Sequence, residues 1–185
     1  MDPDRPLVDR ALGGDRHAFE SLVERHRDVV FRVAARVVGR DAAADVSQDA
    51  FLRAYHRLGR FRGDAPFRSW LLQITHHAAI DAVTRRTPIP TEDPVGDRAE
   101  DDARRLPADS LEERERRERL EDKLTRLRPP HRAVLVLRDL EGMSYEEIAT
   151  VTETPVGTVK GRLHRARGEL IDLLRANTYD WELPA

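Results

Sequence analysis

Apolar residues recur at intervals of three and four through much of the first 86 residues, which is the spacing of amphipathic helices. The first run covers residues 15–37 and is interrupted by polar residues at 26–28, which predicts a pair of helices. A second run covers residues 46–58, and a third covers residues 70–83. The N-terminal half of the chain is therefore expected to be helical.

A short segment without this periodicity, RFRGDAPFRSW at residues 60–70, separates the second and third runs. Gly63 and Pro66 both disfavour a regular helix within it. The pattern resumes at Trp70 and continues through Ile74. The segment is thus predicted to be a loop between two helices.

Residues 87–112 have the composition of a flexible linker. They contain four prolines, no apolar periodicity, and eight acidic residues against three arginines. The linker divides the chain into two folding units, residues 1–86 and residues 113–178, and leaves residues 179–185 as a C-terminal tail.

The second unit also has a helical pattern, with leucines on one face of residues 111–127 and two prolines that start a further helix at Pro129. Ser144 and Glu147 have the spacing of a capping box, which predicts a short helix over SYEEIATV. A three-residue turn and a last helix to about Arg175 follow. Two helices joined in this way form a helix-turn-helix. The expected fold class is all-α, with two small helical domains.

Composition narrows the function further. Charged residues make up 36% of the chain and hydrophobic residues 39%, which favours two small cores over one large core. The absence of cysteine excludes disulfides and thiolate metal sites within the chain. The sequence lacks a long apolar run, and its start, MDPDRPLVDR, does not resemble a signal peptide, so we expect a cytoplasmic protein without membrane insertion.

An enzyme is not expected. The sequence has no glycine-rich phosphate loop and no nucleophile motif, and its seven histidines include no HxxxH or HExxH spacing. His76 and His77 are adjacent and point about 100° apart on a helix, so they do not share a metal ion. We therefore expect no catalytic residue, no metal and no cofactor.

A local excess of positive charge marks the last helix. Residues 158–168 contain four cations and no acid, although the whole chain has 34 acidic against 32 basic residues. With Val159 facing the core, the opposite face carries three glycines with His164 and Arg165. Each helical glycine costs about 1 kcal/mol relative to alanine, which suggests that a partner approaches closely. The major groove of DNA suits such a helix, but an arginine-rich solvated face is the alternative.

Three motifs occur in an order that resembles the extracytoplasmic-function sigma factors of bacterial RNA polymerase. The segments YEEIA and PVGTVKGRLHRAR resemble the helix-turn-helix of that family. The segment FLRAYHRLGRFRGDAPFRSWLLQITHHAAIDAVTRR resembles its promoter-melting region, and DAAADVSQDAF resembles its polymerase-binding helix. The resemblance covers nearly the whole chain and implies sigma region 2 before the linker and sigma region 4 after it.

The resemblance implies a role for particular residues in each region. Asp45, Gln48 and Asp49 are expected to dock on the clamp of core RNA polymerase, although a solvated helix surface is the alternative. The loop between residues 61 and 67 is expected to hold a base flipped out of the −10 element. The residues assigned to the −10 element are Phe61, Arg62, Gly63, Asp64, Ala65, Pro66, Phe67, His77, Arg85 and Arg86. Trp70 is expected to lie in the core rather than to stack on a base.

The same resemblance assigns the last helix to the −35 element. Lys160, Gly161 and His164 are expected nearest the base edges, and the arginines are expected to contact phosphates. The residues assigned to the −35 element are Thr158, Lys160, Gly161, Arg162, His164, Arg165 and Arg167.

The sequence departs from the family pattern at two places. His77 stands where the family commonly has asparagine near the −10 face. Thr152, Glu153 and Thr154 stand where the turn of the helix-turn-helix usually has Leu-Gly-Val. Glutamate in place of a left-handed glycine costs about 1 kcal/mol, so the second domain is expected to be modestly stable alone.

The function expected from the resemblance is promoter recognition and strand separation by a subunit of RNA polymerase. The expected partners are core RNA polymerase, promoter DNA and an anti-sigma factor, and the free chain is expected to be monomeric. A stand-alone helix-turn-helix repressor or activator is the alternative, because it explains the C-terminal half equally well. That alternative leaves the first half unexplained. The sequence does not identify the promoter or the inducing signal.

Overall fold

The computed structural model describes residues 2–86 and 111–176, and this part of the chain folds into α-helices, with short 3-10 and π segments. The α-helices are α1 Arg5–Leu12, α2 Arg16–Val38, α3 Arg40–Arg57, α4 Phe67–Arg86, α5 Leu111–Arg126, α6 Pro129–Leu135, α7 Tyr145–Thr152 and α8 Val156–Arg175. A 3-10 turn, Leu58–Arg60, follows α3, and a π-helical segment, Val136–Leu140, continues α6. The all-α fold class is confirmed.

The first domain, α1 to α4, packs around one apolar core. Its fully buried members include Leu22 and Val30 of α2 and Leu71 of α4. Small residues on the inner side of α3, where Ala50 and Ala54 are completely buried, let this helix lie close to α2 and α4. The core therefore fixes α3, which carries the expected polymerase-binding residues, and α4, which carries part of the expected −10 residues.

The predicted break at residues 26–28 is wrong, because α2 runs without interruption from Arg16 to Val38. The imidazole of His26 is only 8% exposed and lies 2.8 Å from the carboxylate of Asp4, which is also buried. Arg25 pairs with the other oxygen of the same carboxylate at 2.6 Å. Since Asp4 supplies a partner for the buried imidazole, a polar residue occupies the inner face of the helix without ending it.

The second domain, α5 to α8, has the helix-turn-helix that the sequence predicts. Ser144 accepts a hydrogen bond from the Glu147 backbone, and the Glu147 carboxylate accepts one from the Ser144 backbone, which confirms the capping box. The turn contains Glu153 in the left-handed region at φ 50°. Pro155 is the N-cap of α8, and the hydroxyl of Thr154 pairs with that of Thr152.

Most of the predicted linker lies outside the described residues, as does the C-terminal tail. The last two linker residues, 111 and 112, belong to α5, because this helix begins at Leu111. The sequence also gave no indication of the π-helical segment at Val136–Leu140. Within residues 2–86 and 111–176, none of the helices combines the length and the apolar character needed to cross a membrane.

The two domains pack against each other, which the sequence did not predict. Val29 and Val33 of α2 and Leu72 of α4 belong to the same apolar cluster as the core of the second domain. Ala133 of α6 in turn packs in the cluster of the first domain. Each of the two apolar clusters therefore includes residues of the other domain, so apolar contacts join the domains.

Candidate nucleic-acid interface

The outer face of α8 is cationic and has little side-chain bulk. Its inner side is anchored by Val159, Leu163 and Ala166, all at most 2% exposed. Among the described residues, no heavy atom beyond the adjoining chain lies within 4 Å of the position that a Cβ would take at Gly157 or Gly168. The helix thus turns a flat surface outward, as the sequence predicts, and a partner can approach its backbone closely.

The seven −35 candidates are all on the surface of α8. Thr158, Lys160, His164, Arg165 and Arg167 are exposed, and Gly161 and Arg162 are partly exposed. Two of the cations also contact the domain itself. The guanidinium of Arg167 forms two hydrogen bonds with Asp139, at 3.0 and 2.6 Å, and the ammonium of Lys160 lies 5.4 Å from the ring centre of Tyr145. These contacts orient both side chains.

A concave surface beside α8 contains residues that the sequence analysis missed. The start of α6, with Arg128, Pro130 and His131, faces α8 across a cavity of about 520 Å³. From α8 the cavity is lined by residues that include Arg162 and Arg165. His131 is held there by a 2.8 Å hydrogen bond to Glu169. The sequence did contain a sign that Arg128 lies at the start of α6, because it directly precedes the two prolines that begin this helix.

The loop expected to hold a flipped base divides into buried ends and an exposed middle. Phe61 and Phe67 are 9% and 1% exposed, and their rings meet edge to face with centres 5.8 Å apart. Trp70, which is partly exposed, packs on both rings, at 5.3 and 5.7 Å, and lies at the edge of the core rather than inside it. The two phenylalanines therefore anchor the loop and do not present a ring to a base. Arg62, Gly63, Asp64 and Pro66 are exposed, and Ala65 is partly exposed.

Gly63 has a specific conformational role at the tip of this loop. Its φ is 79°, in the left-handed region that favours glycine. A side chain there would also meet the guanidinium of Arg5. At the end of the loop, Asp2 accepts a hydrogen bond of 2.7 Å from the backbone of Phe67, the first residue of α4. The N-terminal segment thus fixes the loop and the start of α4 together.

On α4, His77 is partly exposed and lies 3.3 Å from the carboxylate of Glu153, in the turn of the helix-turn-helix. Gln73, one turn earlier, donates a 2.7 Å hydrogen bond to the same carboxylate and was missed by the sequence analysis. Arg85 is 72% exposed, near Asp81. The side chain of Arg86 lies outside the described residues.

His76, which precedes His77, is in a different environment. It is 8% exposed, and this burial lowers its pKa to about 4, with the positive charges of His77 and Arg162 acting in the same direction. The imidazole is therefore neutral at pH 7. Within the second domain, α7 is the helix of the helix-turn-helix that packs against α4.

The polymerase-binding residues expected on α3 do not share one environment. Asp45 and Gln48 are exposed. Asp49 is partly buried and pairs at 2.7 Å with Arg53, which also binds Asp81 of α4 at 2.9 Å. Leu52, one turn after Gln48, is 53% exposed and adds an apolar surface to the same face. The α3 surface therefore combines one free carboxylate, one amide and an apolar side chain.

The α8 face, the loop and the α3 face together indicate a class of protein. A capped helix-turn-helix whose second helix presents cations and glycines outward is typical of helix-turn-helix DNA-binding proteins. The first domain adds an exposed loop and a separate polar helix face. A protein that consists of a helix-turn-helix domain alone has neither this loop nor this second helix face.

Comparison with known proteins identifies the family. Residues 22–88 match the family model of sigma-70 region 2, and residues 117–170 match that of sigma-70 region 4. The RNA polymerase sigma-H factor of Pseudomonas aeruginosa is 39% identical over 185 residues, covering 93% of each chain. The ECF RNA polymerase sigma-E factor of Escherichia coli is 36% identical over 177 residues, covering 91% of this chain and 92% of the relative.

A solved structure shows the same arrangement of helices. CnrH, in its complex with the cytosolic domain of CnrY, superposes with a TM-score of 0.71 at 32% identity, covering 95% of this chain and 99% of CnrH. The chain belongs to the extracytoplasmic-function sigma factors of the sigma-70 family. It is an alternative sigma factor that directs transcription initiation from specific promoters, and the stand-alone repressor or activator is not favoured.

Proposed function

We propose that three surfaces of this chain divide the work of promoter recognition. The α3 face around Asp45 and Gln48 docks on core RNA polymerase. The loop at residues 62–66, together with the exposed face of α4, captures the non-template strand of the −10 element. The outer face of α8 reads the −35 element. No step makes or breaks a covalent bond, so the chain acts by binding alone and does so in the cytoplasm.

The observation that carries this proposal is the outer face of α8. Residues 158–168 contain no acid, and the glycines there leave open space in front of the helix backbone. DNA binding of this kind releases counterions from phosphates, and base edges in the major groove give it sequence preference. In this proposal Arg162, Arg165 and Arg167 contact phosphates. Lys160, Gly161 and His164 contact base edges.

Arg167 must exchange its contact with Asp139 for a contact with a phosphate when DNA binds. Its hydrogen bonds with Asp139 are made at an exposed site, where an ion pair contributes less than about 1 kcal/mol. A phosphate therefore competes readily for the same guanidinium. Arg128, across the cavity from Arg165, adds a cation that faces the same backbone.

The experiment that tests the polymerase surface uses the variant Asp45→Arg with Gln48→Ala. Both side chains are exposed, so the variant is expected to fold normally and to lose binding to core polymerase. A matched control, Glu20→Arg with Ser21→Ala, makes the same charge change on an exposed part of α2. Co-purification with core polymerase and run-off transcription from promoters found by mapping start sites are measured. Wild-type co-purification of the first variant refutes the assignment.

An anti-sigma factor is the partner we propose for the inactive chain. CnrH, similar over 95% of this chain, was solved in a complex with the cytosolic domain of CnrY. A comparable partner would bind this chain and keep it from polymerase. In the absence of a partner we expect a monomer of 21.2 kDa, which light scattering of the purified chain measures directly.

A further inference from the structure

Asp2 joins the N-terminal segment, residues 2–5, to the start of α4. One oxygen of its carboxylate accepts a 2.7 Å hydrogen bond from the backbone of Phe67, and the other accepts one of 3.0 Å from the backbone of Asp4. Pro66, which directly precedes α4, has no side-chain acceptor that would cap this helix. A carboxylate is favourable at the N-terminal end of a helix, so a residue 65 positions earlier in sequence supplies the cap that the loop lacks.

Asp4 fixes the position of the N-terminal segment within the first domain. It is the N-cap residue of α1, but its side chain does not cap that helix. Its carboxylate is 3% exposed and instead pairs with Arg25 at 2.6 Å and with His26 at 2.8 Å, both on α2. The ring of His26 in turn lies against the ring of Phe67, with centres 5.6 Å apart. Because a buried carboxylate needs its partners, these contacts hold the segment in one place relative to the loop.

Arg5, the first residue of α1, brings a cation to the tip of the same loop. Its guanidinium occupies the space that a side chain at Gly63 would take. The side chain of Arg5 is 52% exposed, and its Nε pairs with Asp9 at 3.0 Å. An exposed ion pair between residues four apart on a helix is weak, so the guanidinium remains available to a second anion.

The loop itself carries no net charge. Residues 61–67 contain one basic residue, Arg62, and one acidic residue, Asp64. When a base is flipped into a protein, it rotates about its backbone and its phosphates stay at the entrance of the site. Proteins that hold a single strand place cations along that backbone. A strand captured by this loop therefore needs a cation from outside the loop, and Arg5 is a cation that the fold places at its tip.

We propose that the N-terminal segment is part of the −10 site: Asp2 is a positioning residue that holds the loop and the start of α4 in the conformation that receives a base, and Arg5 binds a phosphate of the captured strand. The ligand of Arg5 is thus the backbone of single-stranded DNA. The proposal rests on the proposed role of the loop in capturing the −10 strand. It adds residues that lie before the match to sigma-70 region 2, which begins at residue 22.

The test of Arg5 uses the full chain assembled with core polymerase and a labelled non-template strand that carries the −10 element of a mapped promoter. Affinity for the strand is measured over a range of salt concentrations. Arg5→Ala is expected to lower the affinity severalfold and to reduce the slope of log K against log salt by about 0.7, because one phosphate contact to a single strand is lost. Arg5→Lys is expected to keep the slope. The control is Arg10→Ala, which removes another exposed cation of α1, paired with Asp15 at 2.6 Å, and is expected to match the wild type.

The test of Asp2 measures base preference with strands that carry each of the four bases at every position of the −10 element. Asp2→Ala is expected to reduce the preference for the native base at the flipped position, because the loop and α4 lose their common anchor. Asp2→Asn keeps one acceptor oxygen for the backbone of Phe67 and is expected to restore part of this preference. The control is Asp28→Ala on α2, where the side chain is 81% exposed. Urea unfolding of each variant identifies the conditions in which it is folded, and a residue that only stabilises the fold does not change base preference there.

A wild-type salt slope in Arg5→Ala, or an equal loss of slope in Arg10→Ala, overturns the proposal, and so does an unchanged base preference in Asp2→Ala. Failure of the proposed function has a different signature, which the loop variant Asp64→Ala reveals. If Asp64→Ala alters base preference while the changes at Asp2 and Arg5 have no effect, only the role of the N-terminal segment is refuted. If Asp64→Ala also has no effect, and the wild type binds a scrambled strand as tightly as the −10 strand, the −10 role of the loop and that of the segment are refuted together.

Discussion

Replacing His76 by leucine is expected to remove an acid-sensitive contribution to the stability of the first domain. His76 lies on α4 and is 8% exposed. Burial is the main cause of its low pKa of about 4, and His77 and Arg162 add to the effect. Leucine has a similar volume and needs no proton, so the variant is expected to fold in the same way at neutral pH.

The magnitude follows from the difference in proton binding between the folded and unfolded chains. Below pH 6.5 the unfolded chain binds a proton at His76 while the folded chain does not, so the free energy of unfolding falls as the pH falls towards 4. The loss relative to pH 7.5 is about 1 kcal/mol at pH 5.5 and about 3 kcal/mol when the pH has fallen through 4. Above pH 6.5 the contribution is fully present.

Urea unfolding followed by tryptophan fluorescence measures this effect. Trp70 reports on α4, and Trp181→Phe in every variant removes the other tryptophan. His76→Leu is expected to lose about 1 kcal/mol less than the wild type between pH 7.5 and 5.5. The control His17→Gln changes a side chain that is 89% exposed and is expected to follow the wild type. Parallel pH profiles for the wild type and His76→Leu refute the reasoning.

Three further substitutions test the DNA-binding surfaces and the turn. Arg165→Ala is expected to lower the affinity for all promoters by a similar factor and to reduce the salt dependence of binding by about one unit. His164→Ala is expected to change the base preference at particular positions of the −35 element. If the preference is unchanged at every position, His164 does not contact a base. Gly63→Ala is expected to lower the free energy of unfolding in urea by about 1–2 kcal/mol, because Gly63 has a positive φ. Gly59→Ala is the control, since the φ of Gly59 lies outside the left-handed region. Ser144→Ala is expected to lower the free energy of unfolding by about 1 kcal/mol, because the capping box is lost. If Ser144→Ala and the exposed control Thr150→Ala have the same free energy of unfolding, this prediction is wrong.

Most of the helices were predictable because they depend on local sequence, but α1, Arg5–Leu12, was not predicted. The capping box at Ser144 and the Pro-Pro start of α6 are short-range signals that do not need tertiary information. The false break in α2 has the opposite origin. His26 is polar, and only the position of Asp4, 22 residues earlier, makes its burial favourable. A periodicity argument has no access to such a pairing.

The packing of the domains against each other left a weak signal in the sequence. Leu71 and Leu72 are adjacent in α4 and point to different sides of the helix, so an apolar pair there indicates that both sides are covered. Leu71 is buried in the first domain and Leu72 in the second cluster. The polar contacts had no comparable signal, since a buried Glu141 and an exposed glutamate look the same in a sequence.

The two places at which the sequence analysis expects a departure from the family pattern meet in the structure. His77 and Glu153 are 76 positions apart in sequence, and their side chains lie 3.3 Å apart. A glycine at 153 would relax the backbone but has no side chain to reach α4. A different residue at 77 would leave the carboxylate with Gln73 alone. Because each side chain depends on the other for its contact, their effects on stability are not additive, and a motif comparison that scores them separately misses the reason for both.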